Sequence, residues 1–253
     1  MKQVVVYGGL GLLAYGLFLV FQTPASLVVE QARRYLPDLQ ATQVQGTILS
    51  GSAENLSARD TSLENLRWRW SPGGLLRGRW EYRVEAEEPG MDVAAWVGIG
   101  LDRLLTARAV EGELPFAKAL SVALRQPLPF GGRVVLDLDR VQVGLDGLPR
   151  AAEGRARLLE ARTTVGRSLP LGNMAVELTT NEAGIVGYVR DSGGPLEVMG
   201  TLTLDPRGRY RFSGQLALRD QTEEELGKAL NLVLGRPGAD GKYQLNLSGQ
   251  LRV

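Results

Sequence analysis

Two hydrophobic patterns divide the chain. Residues 4–21 read VVVYGGLGLLAYGLFLVF, eighteen positions without a charge, and after Lys2 the next charged residue is Glu30. At ~1.5 Å per residue the run spans roughly 27 Å, close to the ~30 Å of a bilayer core. With no polar face, it predicts a transmembrane helix through Val4, Gly9, Leu13, Gly16 and Phe21, within an N-terminal anchor of residues 1–23. A cleavable apolar region is usually ~7–15 residues, shorter than this one, although Thr23-Pro24-Ala25 offers small residues for cleavage after Ala25. Lys2 and the α-amine give a weak positive-inside signal, opposed by Arg33 and Arg34 and offset in part by Glu30. Anchor and signal peptide alike place the rest of the chain outside the cytosol. Gly9, Gly16 and Thr23 recur every seven residues, which a helix-packing face and plain tolerance of glycine explain equally well.

Residues 24–37 read as a linker helix, its helical part 26–36 closed by Pro37. Beyond it, period-two alternation dominates. Tyr243, Leu245, Leu247, Leu251 and Val253 alternate with Lys242, Gln244, Asn246, Ser248, Gln250 and Arg252. The same alternation runs through 196–204 and 210–218, and through 134–138 with a slip of phase near Arg140 that predicts a β-bulge. Apolar on one side and polar on the other is the mark of antiparallel sheet with one solvated face. The strings GRYRFSGQL (208–216) and GKYQLNLSGQL (241–251) are alike, which points to a meander; no fixed period of a solenoid runs through the chain.

Apolar-x-Gly-x-apolar recurs around Gly46, Gly78, Gly112, Gly154, Gly187, Gly200, Gly214 and Gly249, with each glycine in the apolar phase. Strand glycines mark bulges, bends or close backbone approach. Repeated strand after strand, they predict a sheet that curls over its apolar face into a half-pipe; scatter from a glycine-rich composition, 32 residues, is the alternative. Three short helices are expected to interrupt the strands. One covers 222–234, where Thr222 and Glu225 form a capping box, Leu226, Leu230 and Leu234 a stripe, and Gly235 and Pro237 the stop. The others are 93–106, and 116–124 behind Pro115. The expected fold is mainly β: an anchor, a linker, and a periplasmic β-domain over 38–253.

Composition narrows the chemistry. The chain has 253 residues, a net charge of +1, and neither cysteine nor histidine. Disulfides, thiolate nucleophiles and imidazole bases are gone, and zinc, haem and copper lose their usual ligands. The reading is therefore non-enzymatic, with no cofactor and no metal. The string VRDSGGPL (189–196) nearly matches the nucleophile loop of trypsin-like proteases, but Ser192 has no histidine base, and a hairpin turn accounts for it. Over 67–83 basic and aromatic residues interleave as in single-strand binders. Alternation puts Trp68 and Trp70 on one face and Arg67 and Arg69 on the other, so a core face with a solvated basic back explains the pattern without nucleic acid. Asp137 and Asp139, and the acids of 223–225, belong to a strand face and a helix first turn, and nothing marks a glycosidase-type pair.

The chain resembles the type II secretion system protein N (general secretion pathway protein N) family. The likeness lies in the short N-terminal anchor, VQGTILSGSA (44–53), LRWRWSPGGLLRG (66–78), GPLEVMG (194–200), and the segments 202–218 and 241–251, in that order. Leu49 departs from the tryptophan often found there in the family. The resemblance implies an inner-membrane accessory of the machine that exports folded proteins, with no catalytic residues. Its partners would be the inner membrane and other envelope proteins of the secretion apparatus, met through helix contacts and β-surface contacts. The alternation and glycine pattern support a rival, a periplasmic module that handles lipid or another hydrophobic ligand in an apolar β-groove. The two differ in whether that face is filled by the chain's own side chains and helix 222–234 or stays open.

Overall fold

The structure, a computed structural model, describes residues 22–34, 38–58, 61–124, 130–163, 168–220 and 224–251. The expected membrane helix lies outside the described residues, and so do Pro37 and Thr222. Among the described residues no helix is long and apolar enough to cross a membrane.

After helix α1 (Ala25–Arg33) come two short strands, β1 (Gln40–Thr42) and β2 (Gln45–Gly46), then β3 (Ser50–Ala58) and β4 (Thr61–Ser71). A 3₁₀ turn (Pro72–Arg77) leads to β5 (Arg79–Glu88), β6 (Met91–Gly100) and β7 (Leu105–Pro115). Helix α2 (Phe116–Leu124) separates β7 from β8 (Phe130–Val143). There follow β9 (Pro149–Thr163), β10 (Pro170–Asn181), β11 (Gly184–Gly193), β12 (Leu196–Leu204) and β13 (Arg209–Leu218). Helix α3 (Glu224–Leu234) and β14 (Tyr243–Gln250) close the described chain.

The fourteen strands of the described residues form one sheet, a meander in which each strand from β3 to β14 pairs with its sequence neighbours; β1 and β2 both pair with β3. The pairing is antiparallel throughout. A meander sorts its connections by parity. The links β4–β5, β6–β7, β8–β9, β10–β11 and β12–β13 lie at one end of the sheet, hereafter the turn end. The opposite end, the helix end, carries α2 between β7 and β8 and α3 between β13 and β14.

Alternation decides the faces. On one, Trp68, Tyr82, Val97, Ala107, Leu136, Val176, Val189, Leu202 and Phe212 succeed one another across paired strands. The other is charged: Arg140 pairs with Glu153 at 2.6 Å, and Arg133 reaches Glu113 at 3.6 Å and Glu160 at 3.9 Å. Glu81 is 3% exposed on this face beneath the 3₁₀ turn. Arg108 reaches its Oε1 with Nη2 at 2.5 Å and donates from Nε at 3.1 Å, which satisfies a charge that burial alone would make costly. The bulge expected near Arg140 is present: the β8–β9 register shifts between Leu138 and Arg140.

Three expectations are corrected. Residues 93–106 are not a helix but most of β6 and the start of β7. Their Ala and Leu content reads as helical, but Val93, Ala95, Val97 and Ile99 alternate, and Gly98 lets the backbone of Trp80 and Glu81 approach closely. The linker helix ends at Arg33. The sheet is also not strongly curled. The reason is in the registers: Gly200 faces Gly214, but Gly214 faces Leu245 while Gly249 faces Tyr210, so the glycines share no bend line. They sit under neighbouring rings instead. A Cβ on Gly200 would lie 2.6 Å from Cζ of Phe212, and one on Gly249 2.5 Å from Oη of Tyr210. Aromatic rings cover the gaps that glycine leaves.

Candidate functional site

A broad apolar feature lies at the helix end. Pro115 ends β7, and α2 turns over the apolar face, where Lys118 ties it to Glu88 of β5 at 2.5 Å. The Phe116 and Phe130 rings lie 6.2 Å apart, tilted at 46°. Across the sheet α3 lays Leu226, Leu230 and Leu234 toward the strands, as its stripe predicts. Leu226, 2% exposed, joins Leu196, Val198, Leu216 and Tyr243 in a buried core cluster. The Tyr243 hydroxyl donates to Oδ1 of Asn231 at 3.1 Å and holds α3 to β14.

Between α2 and α3 the packing stops short. An open cavity of about 710 Å³ remains, floored by Leu158, Met174, Leu216 and Leu245, rimmed by Leu169 and Leu171, and walled by Phe116, Leu120, Leu226 and Leu230. Its volume falls within the ~300–1,000 Å³ of small-molecule sites. Among the described residues that line it, the Thr163 hydroxyl is the single polar side-chain group. A charged or strongly polar group placed inside would lose water and find almost no partner, so the cavity suits an apolar body. The apolar face is thus both filled, at Leu226, and open, between the helices.

The charged face carries two smaller basins. In one, Arg155 lies between Asp137 and Glu177, while Arg157 and Arg190 flank Ala175 beside Tyr188. In the other, Arg67, Arg69 and Arg83 gather near Trp96, with the Arg83 guanidinium 5.4 Å from the Trp96 ring centre. The face assignment for 67–70 holds: Trp68 and Trp70 are half-buried, Arg67 and Arg69 exposed. Trp68 donates from Nε1 to the Thr47 carbonyl at 3.1 Å, and the Trp70 and Trp80 rings stack at 5.1 Å, so the aromatics are engaged with the fold.

Ser192 lies near the end of β11. Its neighbour Asp191 pairs with Arg219 and accepts the Val198 N–H at 3.3 Å, so the segment stitches the β11–β12 hairpin. Among the described residues no group of three or more carboxylates is placed to hold a metal. The eight singled-out glycines come to no common site. Gly46 turns the β2–β3 hairpin at φ 85°, and Gly78 closes the 3₁₀ turn at φ 67°. Gly154 meets the bulge, where a Cβ would lie 2.5 Å from Cα of Leu138. Gly112 crosses the Asp92 backbone, and Gly187 lies under Leu178. The sequence pattern missed Leu169, Leu171 and Met174 as cavity residues, because nothing local separates them from ordinary strand leucines.

Comparison with known proteins meets this geometry from another side. The family model described as Type II secretion system (T2SS), protein N, matches residues 37–246. The chain is 29% identical to the type II secretion system protein N of Aeromonas hydrophila, covering 99% of this chain and all of the relative. It is 25% identical to the proteins of that name from Pectobacterium carotovorum and Vibrio cholerae, again over 99% of this chain. No solved structure matches it. A family-model match over most of the chain, with relatives covered over 99% or more of their length, sets its membership: the chain belongs to the type II secretion system protein N family.

Proposed function

We propose that the chain is a non-enzymatic scaffold of the type II secretion machinery, anchored in the inner membrane by residues 1–23, with residues 38–253 as its periplasmic domain. The supporting observation is the charged face. Arg155, Arg157 and Arg190 line an exposed basin on a broad, continuous sheet, a surface for envelope proteins of the apparatus rather than for a small substrate. Photo-crosslinkers placed at Arg157 and Arg190 in cells are expected to capture secretion-apparatus proteins. Capture of none, with the chain at normal abundance, sinks the scaffold. A reporter fused at Val253 and N-terminal sequencing test the anchor, and a mature chain that begins at Ser26 sinks it.

The cavity favours a second reading, in which the domain holds a lipid tail or another hydrophobic ligand between α2 and α3. The scarcity of polar groups among its described lining residues supports this. Mass spectrometry of the gently extracted protein is expected to find a bound amphiphile that Leu230→Asp removes. A wild-type protein that extracts empty would refute the second reading and leave the first untouched.

A further inference from the structure

Scattered exposed leucines are ordinary on protein surfaces; a cluster of them ringed by one sign of charge is not. At the turn end, the 3₁₀ turn and the β6–β7 connection lie side by side: a Cβ on Gly78 would lie 3.8 Å from Cδ1 of Leu101, and Arg79 pairs with Gly100. Leu76 is 93% exposed and Leu101 92%, with Leu75 exposed beside them. Trp80 is partly exposed, and its indole N–H donates to the Tyr82 hydroxyl at 3.1 Å. Arg77, Arg79 and Arg103 adjoin these residues along the chain, and none has an ion-pair partner among the described residues. The nearby acid Asp102 accepts the Leu104 N–H at 3.2 Å.

The position of this tip matters as much as its composition. Thr23, which follows the apolar run 4–21 within two residues, accepts the Ile48 N–H at 3.1 Å, and Pro24 bridges to Thr47. Residues 47–49 lie beside the last residues of β4, since the Trp70 N–H donates to the Leu49 carbonyl, and β4 continues into the 3₁₀ turn. The described chain therefore begins at the same end of the sheet that carries Leu76 and Leu101.

We propose that this tip is a bilayer-contact surface for an anionic phospholipid leaflet. Leu75, Leu76 and Leu101 enter the apolar edge, Trp80 lies at headgroup depth, and the three arginines meet lipid phosphates. The contact would fix how the sheet stands on the membrane, with the helix end and its cavity held away from it. It goes beyond the anchor of residues 1–23 and is separable from it.

The chain has no cysteine, so single replacements report cleanly. Full-length Leu76→Cys and Leu101→Cys, labelled with an environment-sensitive fluorophore, are reconstituted into vesicles of phosphatidylethanolamine and phosphatidylglycerol. Both probes are expected to be quenched several-fold by nitroxide-bearing lipid and shielded from iodide, while Ser192→Cys at the helix end stays aqueous. Aqueous behaviour at both tip positions overturns the proposal. Shielding from iodide without quenching by lipid also overturns it, because protein then covers the tip. Combining Arg77→Glu, Arg79→Glu and Arg103→Glu is expected to abolish the lipid quenching without changing the circular dichroism. Quenching that survives in this variant overturns the role of anionic headgroups. Alkaline carbonate reads the anchor separately. Protein that stays bound with aqueous tip probes is a failure of the tip alone; protein that washes off after its probes were lipid-quenched is a failure of the anchor alone.

Discussion

The two ends of the sheet solve the same problem, reversing the chain, by opposite means. At the turn end most reversals are short and satisfied from within. Asp102, Asp146, Asn181 and Asp205 each accept the N–H of the residue two positions on, so one side chain replaces the backbone partner that the turn removes. At the helix end two of the connections instead leave the sheet as α2 and α3 and fold back over its apolar face. A tight turn leaves little to bind with. A helix laid across a sheet touches it along a stripe and leaves space on either side, and the 710 Å³ cavity is that space. The difference teaches that the length of an excursion, rather than the strands themselves, decides where this fold offers a ligand site.

If α3 is held to the sheet chiefly through Leu226, then Leu226→Ala should have the largest effect, about 2–5 kcal/mol in thermal or denaturant unfolding of the full chain. A negligible loss would mean that α3 is not part of the cooperative unit. Next is the middle of the sheet. Gly200→Leu must displace the Phe212 ring and the Ser213 carbonyl, 2.6 and 3.1 Å from its Cβ, at a cost of about 1–3 kcal/mol. Gln215→Leu, exposed on the charged face, should stay within about 0.5 kcal/mol. Equal effects at the two sites would undo the assignment of faces.

Tyr243→Phe removes one hydrogen bond to Asn231 and should cost about 0.5–1.5 kcal/mol, readable as a small drop in unfolding midpoint. The smallest effect belongs to the turn end. The Asp205 carboxyl is held below its ordinary 3.8, first by the Arg209 N–H and then by the Arg209 side chain and the Arg207 N–H, against an opposing effect of burial. A lowered folded-state pKa gives stability that is complete above the unfolded value and fades as the pH falls through the folded one. Asp205→Asn should lower stability slightly at neutral pH, where the carboxylate's contribution is complete, and flatten the acid limb so that the two proteins converge at low pH; an acid limb identical to wild type would show the turn to be indifferent to the charge.

Much of the fold was legible. Alternation in 196–204, 210–218 and 243–251 gave three strands with the correct inward faces, and the phase slip near Arg140 gave the bulge. Pro115 and the leucine stripe located α2 and α3, because caps, breakers and i, i+4 spacing are local signals. The stretch 93–106 misled because alanines and leucines suit either structure, and burial between neighbouring strands settled it as sheet. The glycines misled differently. Whether a bare Cα becomes a bend or a seat for a ring depends on the register of the next strand, which placed Phe212 over Gly200 and Tyr210 over Gly249. The cavity was half visible. Phe116 and Leu230 stand 114 positions apart and converge because their helices leave the sheet at the same end, a parity that appears only once every strand has been counted correctly.

The uninterrupted meander bears on how the chain reaches this state. Because each strand from β4 onward docks on the one made just before it, no pairing waits for a distant segment. A chain delivered N-terminus first can extend the sheet strand by strand, closing short loops at small entropic cost. The open edge moves with the newest strand until β14 is laid down. Assembly in that order resembles the growth of a zipper more than the collapse of a globule, and it leaves α3 and the helix-end cavity among the last features to form.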